Sequence, residues 1–411
     1  PYFDQHGHRD YEHLIYGGLG QLYQKQDRIG DAADAYLAFV ELYPTHTQAP
    51  RLSVQVIELY AKHGFPLKAL DSKKVFTQRY RIQGQYWIQL DSDNRQWLST
   101  QLRTYLRELA EYHHALAQQA AKIKGKKAHA EQARQGGEAV VWYQRFLASF
   151  PEDQTAGGMS FLLAELLYDL GRYTDAVAAY ENSAYHYPAH DKAAEAGYAA
   201  LLAYAAEEKR LPKNQQTAWR RQGIDSALRF ADRFPQDARH AAVLTQAADQ
   251  LLSIKDLDRA SEVALRVTAL QPAPELELRR TAWTVVAHAA FEQQRFSDAE
   301  QAYQQTLATL PAKDKARKDL EERLAASIYQ QATGLRGKGE HRAAAEQFMR
   351  VGARVPGASI RETADYDAAA SLITAKDWPA TIEVLEGFRK RYPKSKRLPD
   401  INTKLAVAYL E

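Results

Sequence analysis

Apolar positions recur along this chain in pairs of short amphipathic segments. In the clearest copy, Tyr16, Leu19 and Tyr23 fall at helical spacing, and a second segment carries Ala32 and Tyr36. Apolar side chains at positions i, i+3, i+4 and i+7 lie on one face of an α-helix. The pattern therefore predicts two amphipathic helices that pack on each other through these faces.

Prolines close the copies of this pattern at a nearly constant interval. They are Pro44, Pro151, Pro188, Pro235, Pro272, Pro311, Pro356 and Pro393. Three of the intervals, 151 to 188, 235 to 272 and 356 to 393, are 37 residues, and 272 to 311 is 39. Proline ends the second helix because it lacks an amide hydrogen and disfavours helical geometry in the preceding residue. A period of about 20 to 50 residues is typical of a solenoid. Because the stacked repeats of a solenoid form an extended surface for partners, the pattern favours binding over catalysis.

The turn between the two helices of a copy is marked in several places by glycine. Gly64, Gly171 and Gly339 lie where the first helix must turn back sharply into the second. Glycine favours such turns because it adopts positive φ without strain. One copy, which contains Ala69, has Arg81 where the closing proline is expected. We interpret it as a repeat with a variant end.

The offsets of the clearest copy resemble those of the tetratricopeptide repeat. The residues that carry the resemblance are Tyr16, Leu19, Gly20, Tyr23, Ala32, Tyr36, Phe39 and Pro44. The resemblance implies an all-α fold, a right-handed superhelix (α-solenoid) of about nine helix-turn-helix repeats. We expect amino-terminal repeats over 1–81, an irregular repeat over 82–151, and further repeats over 152–411 that end in a last, unpaired helix.

A longer step and a shared ending point to a narrower group of repeats. Several copies end in an aromatic residue followed by proline, as in Tyr43-Pro44, Phe150-Pro151, Tyr187-Pro188, Phe234-Pro235 and Tyr392-Pro393. These endings look like those of bacterial cell-envelope repeat proteins, notably the outer-membrane assembly lipoproteins and the Tol–Pal-associated coordinator. The resemblance implies a Gram-negative protein that is periplasmic or associated with the outer membrane, with the cytoplasm as the alternative.

The period breaks between Arg81 and Pro151. Asp93, with Gln96 three residues later, indicates a helix cap and a capping box, followed by one long helix. That helix ends near the basic run 122–127, where Gly125 acts as a breaker. The apolar stretch before it contains Tyr86, Trp87 and Ile88. These three residues either cover the seam left by the irregular repeat or form a docking element for a partner.

Composition and charge exclude several classes of protein. The absence of cysteine excludes disulfides, thiolate catalysis and cysteine zinc sites, and it is compatible with an oxidising periplasm. The net charge of +3 is too small to require nucleic acid or an anionic membrane as partner. No run approaches the roughly 20 apolar residues that span a bilayer. The start at Pro1 and the new first helix around Leu405 lead us to expect a longer parent protein.

No catalytic or metal-binding pattern is apparent. The glycines at 17–20 lack the lysine of a phosphate loop, and the segment 91–95 lacks the later ligands of a calcium loop. The pairs His6 and His8, and His113 and His114, lack a third ligand at suitable spacing. Short basic clusters, including 122–127, are better explained as solvated edges than as nucleic-acid tracks. We therefore expect no enzyme activity, cofactor, metal or nucleic-acid partner.

The resemblance also implies where a partner binds, because in these repeats the first helix lines the concave face. The residues placed there by register are Gln21, Gln24, Phe161, Glu165, Tyr168, Asp169, Tyr198, Asp249, His288, Phe291, Glu292 and Tyr366. Aromatic anchors among carboxylates and amides are typical of a surface for protein or peptide partners. Phe161, Tyr168 and Phe291 are alternatively packed between repeats. The alternative function is a solenoid that guides a polysaccharide or peptidoglycan strand, which requires aromatic side chains exposed along one groove.

Overall fold

The computed structural model describes Gly7 and residues 9–411 of the chain. Within this part, the regular elements are twenty α-helices and one π-helical segment. The expectation of an all-α fold is confirmed. The chain divides into two compact units, Pro1–Arg210 and Leu211–Glu411.

The first unit contains ten α-helices joined by short turns. They are α1 (Glu12–Lys25), α2 (Ile29–Leu42), α3 (Ala49–Lys62), α4 (Pro66–Arg79), α5 (Gln85–Ile88), α6 (Ser92–Ala121), α7 (Lys126–Ser149), α8 (Ala156–Asp169), α9 (Tyr173–Glu181) and α10 (Ala193–Glu208). The π-helical segment Asn182–His186 continues α9.

The second unit contains ten further helices. They are α11 (Lys213–Arg233), α12 (His240–Ser253), α13 (Leu257–Ala269), α14 (Leu276–Glu292), α15 (Phe296–Ala308), α16 (Ala316–Gly337), α17 (His341–Arg354), α18 (Arg361–Thr374), α19 (Trp378–Arg391) and α20 (Leu398–Leu410).

Consecutive helices pack as pairs, and each unit is a stack of such pairs. Unit one has the pairs α1–α2, α3–α4, α6–α7 and α8–α9, and unit two has α12–α13, α14–α15, α16–α17 and α18–α19. The helices α10 and α11, which follow each other in sequence, belong to different units. The expected division at residues 81 and 151 stays a prediction.

The turn inside each pair uses a residue with positive φ. Gly64, Gly171 and Gly339 have φ values of 81°, 70° and 81°, which confirms the predicted glycine turns. Other pairs place non-glycine residues in the left-handed region at the same turn, namely Asp27, Lys255, Gln294 and Lys376, with φ values of 56° to 63°. The sequence could not show these turns, because only glycine marks such a position by its residue type.

Large aromatic side chains of the second helices fill the space between neighbouring helices. Tyr36, Tyr143, Tyr180, Tyr303, Phe348 and Phe388 are all fully buried. Gly20 of α1 lies directly against the ring of Tyr36, so that a β-carbon at residue 20 would overlap the ring. The two helices of this pair therefore approach each other closely at Gly20.

The irregular segment begins with the short helix α5. Tyr86 is buried, and its ring centroid lies 4.9 Å from that of Tyr80. Its hydroxyl donates to the carbonyl oxygen of His46 at 3.3 Å. The aromatic side chain that breaks the period is therefore part of the core of the first unit.

The long helix α6 is capped two residues earlier than expected. The side chain of Asp91 accepts a hydrogen bond from the backbone amide of Asn94 at 2.8 Å, and the Asp91 carbonyl accepts from Arg95 at 3.0 Å. The predicted cap at Asp93 is therefore wrong. Both aspartates suit an N-cap, and only the backbone geometry decides between them.

The helix that follows α6 is also elongated. α6 has 30 residues and α7 has 24, whereas the neighbouring helices α4 and α8 have 14 each. Gly125 lies between α6 and α7 with a φ of 122°, which confirms its predicted role as the breaker. The irregular repeat is therefore a long hairpin of two helices.

Candidate functional site

The first helices of the repeats carry the residues predicted to bind a partner. In unit one, several of these residues form hydrogen bonds within their own repeat. The side-chain amide of Gln24 donates to the hydroxyl of Tyr36 at 3.1 Å. The hydroxyl of Tyr180 donates to the carboxylate of Glu165. Both first-helix residues therefore satisfy a buried tyrosine of their own repeat.

The same arrangement recurs in the α6–α7 hairpin. His114 Nδ1 lies 3.0 Å from the hydroxyl of Tyr143, and His113 Nδ1 lies 2.6 Å from Oε1 of Gln135. Burial lowers the pKa of both histidines. This histidine pair is therefore part of the interior, and not the exposed pair considered for a metal. His6 and His8 lie outside the residues that the structure fully describes.

Two of the predicted aromatic residues of α8 make contacts within their own repeat. Phe161 is 7% exposed, and its ring centroid lies 6.0 Å from that of Tyr180. Tyr168 is half-buried with its ring 5.0 Å from that of Tyr173. Of the two alternatives for Phe161, the packed one holds, because its side chain lies in the space between α8 and α9.

The remaining predicted residues of unit one reach solvent to different degrees. Gln21 and Asp169 are exposed, and Tyr198 is half-buried. In the insert, Trp87 is half-buried and Ile88 is 68% exposed, while Tyr86 is buried. Tyr86 therefore covers the seam of the irregular repeat, and of the three insert residues only Ile88 is largely free to meet a partner.

At the far end of unit two, Tyr366 of α18 is held by the start of α20. Its hydroxyl donates to Oδ2 of Asp400 at 2.8 Å, and the guanidinium of Arg397 lies 4.7 Å from its ring centroid. Phe291 is half-buried, with its ring 5.4 Å from that of Phe296. Both aromatic side chains thus contribute more to packing than to exposed surface.

The charged residues of unit two meet on the first helices α12, α14 and α16. Asp249 and Glu292 are exposed, and Lys255 Nζ lies 2.6 Å from Oε1 of Glu292. On α16, Nε of Arg323 lies 3.1 Å from Oδ2 of Asp319. We call the set Asp249, His288, Glu292, Asp319 and Arg323 the first-helix face of unit two.

His288 lies at the centre of this face. Burial lowers its pKa, the charge of Arg323 lowers it further, and the charges of Asp319, Glu292 and Asp249 act in the opposite direction. Its ring centroid lies 5.7 Å from that of Tyr303. Among the described residues, its buried Nε2 atom has no hydrogen-bond partner. A polar atom in this state can accept or donate a hydrogen bond if a ligand or water reaches it.

Sequence reasoning found three members of the first-helix face and missed two. Asp249, His288 and Glu292 were placed correctly on the first helices. Asp319 and Arg323 were missed because α16 is 22 residues long, so its first turns lie outside the usual frame of the repeat. The only available signal was their spacing of four residues, which places an acid and a base on one helix face.

Other buried charges of unit two are satisfied within the protein. Glu300 accepts from Arg350 at 2.6 Å and from Gln331 at 2.8 Å. The carboxylate of Asp365 accepts from Arg391 at 2.5 Å and from the Tyr392 hydroxyl at 2.7 Å. The Glu300 network ties neighbouring repeats together, the Asp365 network joins the two helices of one repeat, and both leave little capacity for a ligand.

The described residues contain neither a cluster of metal ligands nor a membrane-spanning helix. No group of three or more histidine, cysteine, aspartate or glutamate side chains in this part of the chain is arranged to hold a metal ion. No helix among residues 9–411 combines the length and the apolar character needed to cross a bilayer.

Comparison with protein families identifies one of the repeats. Residues 160–190 match the family model described as tetratricopeptide repeat. The match covers most of α8, all of α9 and the π-helical segment. It supports the resemblance on which the repeat assignment depends, and the same helix pair recurs through both units. A search of curated proteins gives no match.

Three solved structures are similar to the chain at low sequence identity. The crystal structure of the P58(IPK) TPR domain is 12% identical and covers 97% of this chain and 97% of its own, with a TM-score of 0.21. The crystal structure of yeast Tom70 is 12% identical, with 98% and 96% covered and a TM-score of 0.22. The structure of Naa15/Naa10 bound to HypK-THB is 12% identical, with 97% and 60% covered and a TM-score of 0.32. At these scores, none of the three carries an argument about this chain.

Proposed function

We propose that this chain is a non-catalytic scaffold that binds protein partners along the first helices of its repeats. We further propose that it acts in assembly, cell-wall or secretion machinery of a Gram-negative envelope, in the periplasm or at the outer membrane. The envelope setting is supported by the aromatic–proline endings of the repeats and by the absence of cysteine.

The observation that carries the proposal is the first-helix face of unit two. Three successive repeats contribute charged side chains to it, and they surround a histidine whose Nε2 has no partner among the described residues. An extended peptide can use such a surface, because carboxylates accept hydrogen bonds from its amides and cationic side chains. Mixed charges set the register and specificity of a protein interface more than its affinity.

A protein partner suits this surface better than a sugar strand does. Sugar stacking requires aromatic rings exposed along one groove. In this chain Tyr36, Tyr143, Tyr180 and Tyr303 are fully buried, and Phe161 is packed between helices. Isolated polar groups and small contact areas, by contrast, are sufficient for the rim of a protein interface.

The test is crosslinking capture from a Gram-negative cell-envelope extract with the full 411-residue chain as bait. The variant Asp249→Asn/Glu292→Gln removes two charges of the first-helix face, and we expect it to lower recovery of protein partners about tenfold. Glu262→Gln/Glu346→Gln is the matched control, because it removes two exposed carboxylates from the second helices α13 and α17. It should leave recovery unchanged.

Three outcomes would contradict the proposal. Equal losses for both variants would mean that net charge, and not the first-helix face, governs capture. Retention of glycan with no protein above background would favour the polysaccharide alternative. Partners recovered only from a cytosolic extract would contradict the envelope setting. Thermal unfolding of both variants is the check on folding, because surface substitutions usually change stability by less than about 0.5 kcal/mol.

A further inference from the structure

The second helix of the α6–α7 hairpin extends beyond the end of α8, on which it packs. Gly136 of α7 lies against Leu170, the residue that follows α8, and a β-carbon at residue 136 would lie 2.8 Å from Leu170 Cδ2. Because α8 ends at that level, the part of α7 from 126 to 135 continues past it. At 1.5 Å per residue, ten helical residues extend about 15 Å.

The tip of this hairpin, residues 122–127, combines one apolar side chain with four lysines. Ile123 is 62% exposed, and Lys122, Lys124, Lys126 and Lys127 are exposed around it. None of the four lysines forms an ion pair with a described residue. The closest carboxylate in sequence, Glu131, is bound to Arg134 at 2.6 Å and to Gln135 at 2.7 Å.

The tip is a cluster of positive charge that contains no carboxylate. Four of the 54 lysines and arginines lie within these six residues. The charge of the remaining 50 is balanced by 51 aspartates and glutamates in the whole chain. Four like charges so close together repel one another, and this repulsion is relieved when anions approach. The tip therefore attracts an anionic surface at long range.

The shape of the tip selects among anionic partners. Gly125, with a φ of 122°, forms the narrow end of the hairpin, and every residue from 122 to 127 is exposed. An exposed hairpin end with one apolar residue among lysines fits a membrane surface, where anionic headgroups lie over an apolar layer of acyl chains. Lysine stems can lie along such a boundary while their ammonium groups stay at the headgroups.

We infer that the tip of the α6–α7 hairpin docks on an anionic phospholipid bilayer. Ile123 enters the boundary between headgroups and acyl chains, and the four lysines contact lipid phosphates. Each lysine near an anionic membrane surface strengthens binding about fivefold. This contact is peripheral, and it is independent of the partner surface proposed for the first helices.

The test is flotation of the full chain with vesicles. One set contains phosphatidylcholine alone, and the other contains phosphatidylcholine with about 30% phosphatidylglycerol. We expect the chain to float only with the anionic vesicles and to be released by added salt. Lys122→Gln/Lys124→Gln/Lys126→Gln/Lys127→Gln should lower the partition coefficient at least about 100-fold. Ile123→Ser should lower it about tenfold and leave the salt dependence in place.

Matched controls separate the tip from charge and apolar exposure in general. Lys313→Gln/Lys315→Gln/Lys318→Gln removes three exposed lysines just before and within the first turn of α16, and Leu276→Ser removes a side chain that is 47% exposed at the start of α14. Both controls should float like the unchanged chain. Every substituted residue is exposed, and circular dichroism melting checks that each variant folds.

Several results would overturn the inference. The chain failing to float with anionic vesicles would do so directly. Equal losses from the tip lysines and the control lysines would show that location does not matter. Binding to polyglutamate without binding to vesicles would assign the tip to an acidic protein.

Discussion

Single residues on the first helices bind tyrosine hydroxyls that the second helices bury. Gln24, Glu165 and His114 each form a hydrogen bond with such a hydroxyl, on Tyr36, Tyr180 and Tyr143 respectively. Leaving a buried hydroxyl without a partner costs about 1–3 kcal/mol. A substitution of the polar residue at this position is therefore expected to lower the stability of the folded chain, whether or not a partner binds there.

His114 makes one of these contacts sensitive to pH. Burial lowers its pKa in the folded chain from the ordinary value of 6.5, and the charge of Asp169 opposes this only in part. Between the folded pKa and 6.5 the unfolded chain binds more protons, so the free energy of unfolding falls as the pH decreases below 6.5. Above 6.5 this contribution to stability is fully present.

We expect His114→Gln to make this acid-side loss of stability shallower, because the substitution removes the titrating group and keeps a side chain that can bond to Tyr143. The measurement is urea unfolding at a series of pH values from about 7 to about 5. His129→Gln, at an exposed position on α7, is the control and should leave the slope unchanged. An unchanged slope in His114→Gln would contradict the assignment.

The two helices of a pair are packed so closely that a single added methyl group can be too large, as the α1–α2 pair shows. Gly20 lies against the ring of Tyr36, whereas no atom lies within 4 Å of a β-carbon placed at Gly18. The two glycines belong to the same helix and differ only in what faces them. They therefore separate the effect of close packing from the effect of helix propensity.

We expect Gly20→Ala to destabilise the chain by about 1–3 kcal/mol, because the added methyl group overlaps a fully buried ring. Gly18→Ala should be neutral or stabilise by up to about 1 kcal/mol, because alanine favours the helix over glycine. Denaturant unfolding of both variants gives the comparison. Equal effects of the two substitutions would mean that α1 shifts freely on α2.

The whole molecule consists of two compact units that meet in sequence at residues 210 and 211. Each unit has its own buried core built from complete helix pairs. In a repeat protein each pair packs mainly on its neighbours, so stability is nearly a sum of local contributions. A chain of this kind can be divided without destroying the core on either side.

We therefore expect fragments 1–210 and 211–411 to fold separately, because each retains four complete helix pairs. Far-ultraviolet circular dichroism of the two fragments should add up to the spectrum of the full chain. A division at residue 125, which separates α6 from α7 within one helix pair, is the control and should lose helix in at least one fragment. Loss of helical signal in 1–210 or 211–411 would show that the units depend on each other.

The sequence by itself determined the helix pairs and most of their ends. Proline and glycine limit the backbone locally, so the closing positions and the turns at Gly64, Gly171 and Gly339 could be predicted from residue type. The helical spacing of apolar positions also predicted the burial of Tyr36 and Phe39, because the period of the helix alone places them on its inner face. These features depend on neighbours within a few residues.

Only the tertiary structure decided which exposed-looking residues were available to a partner. Phe161 and Tyr86 became core residues, and Gln24 and Glu165 bound their own tyrosines, because those contacts join segments 12 to 40 residues apart. The same applies to Asp319 and Arg323, which the long helix α16 brings to His288. Sequence period fixes the face of a helix, but the neighbouring helices decide what that face meets.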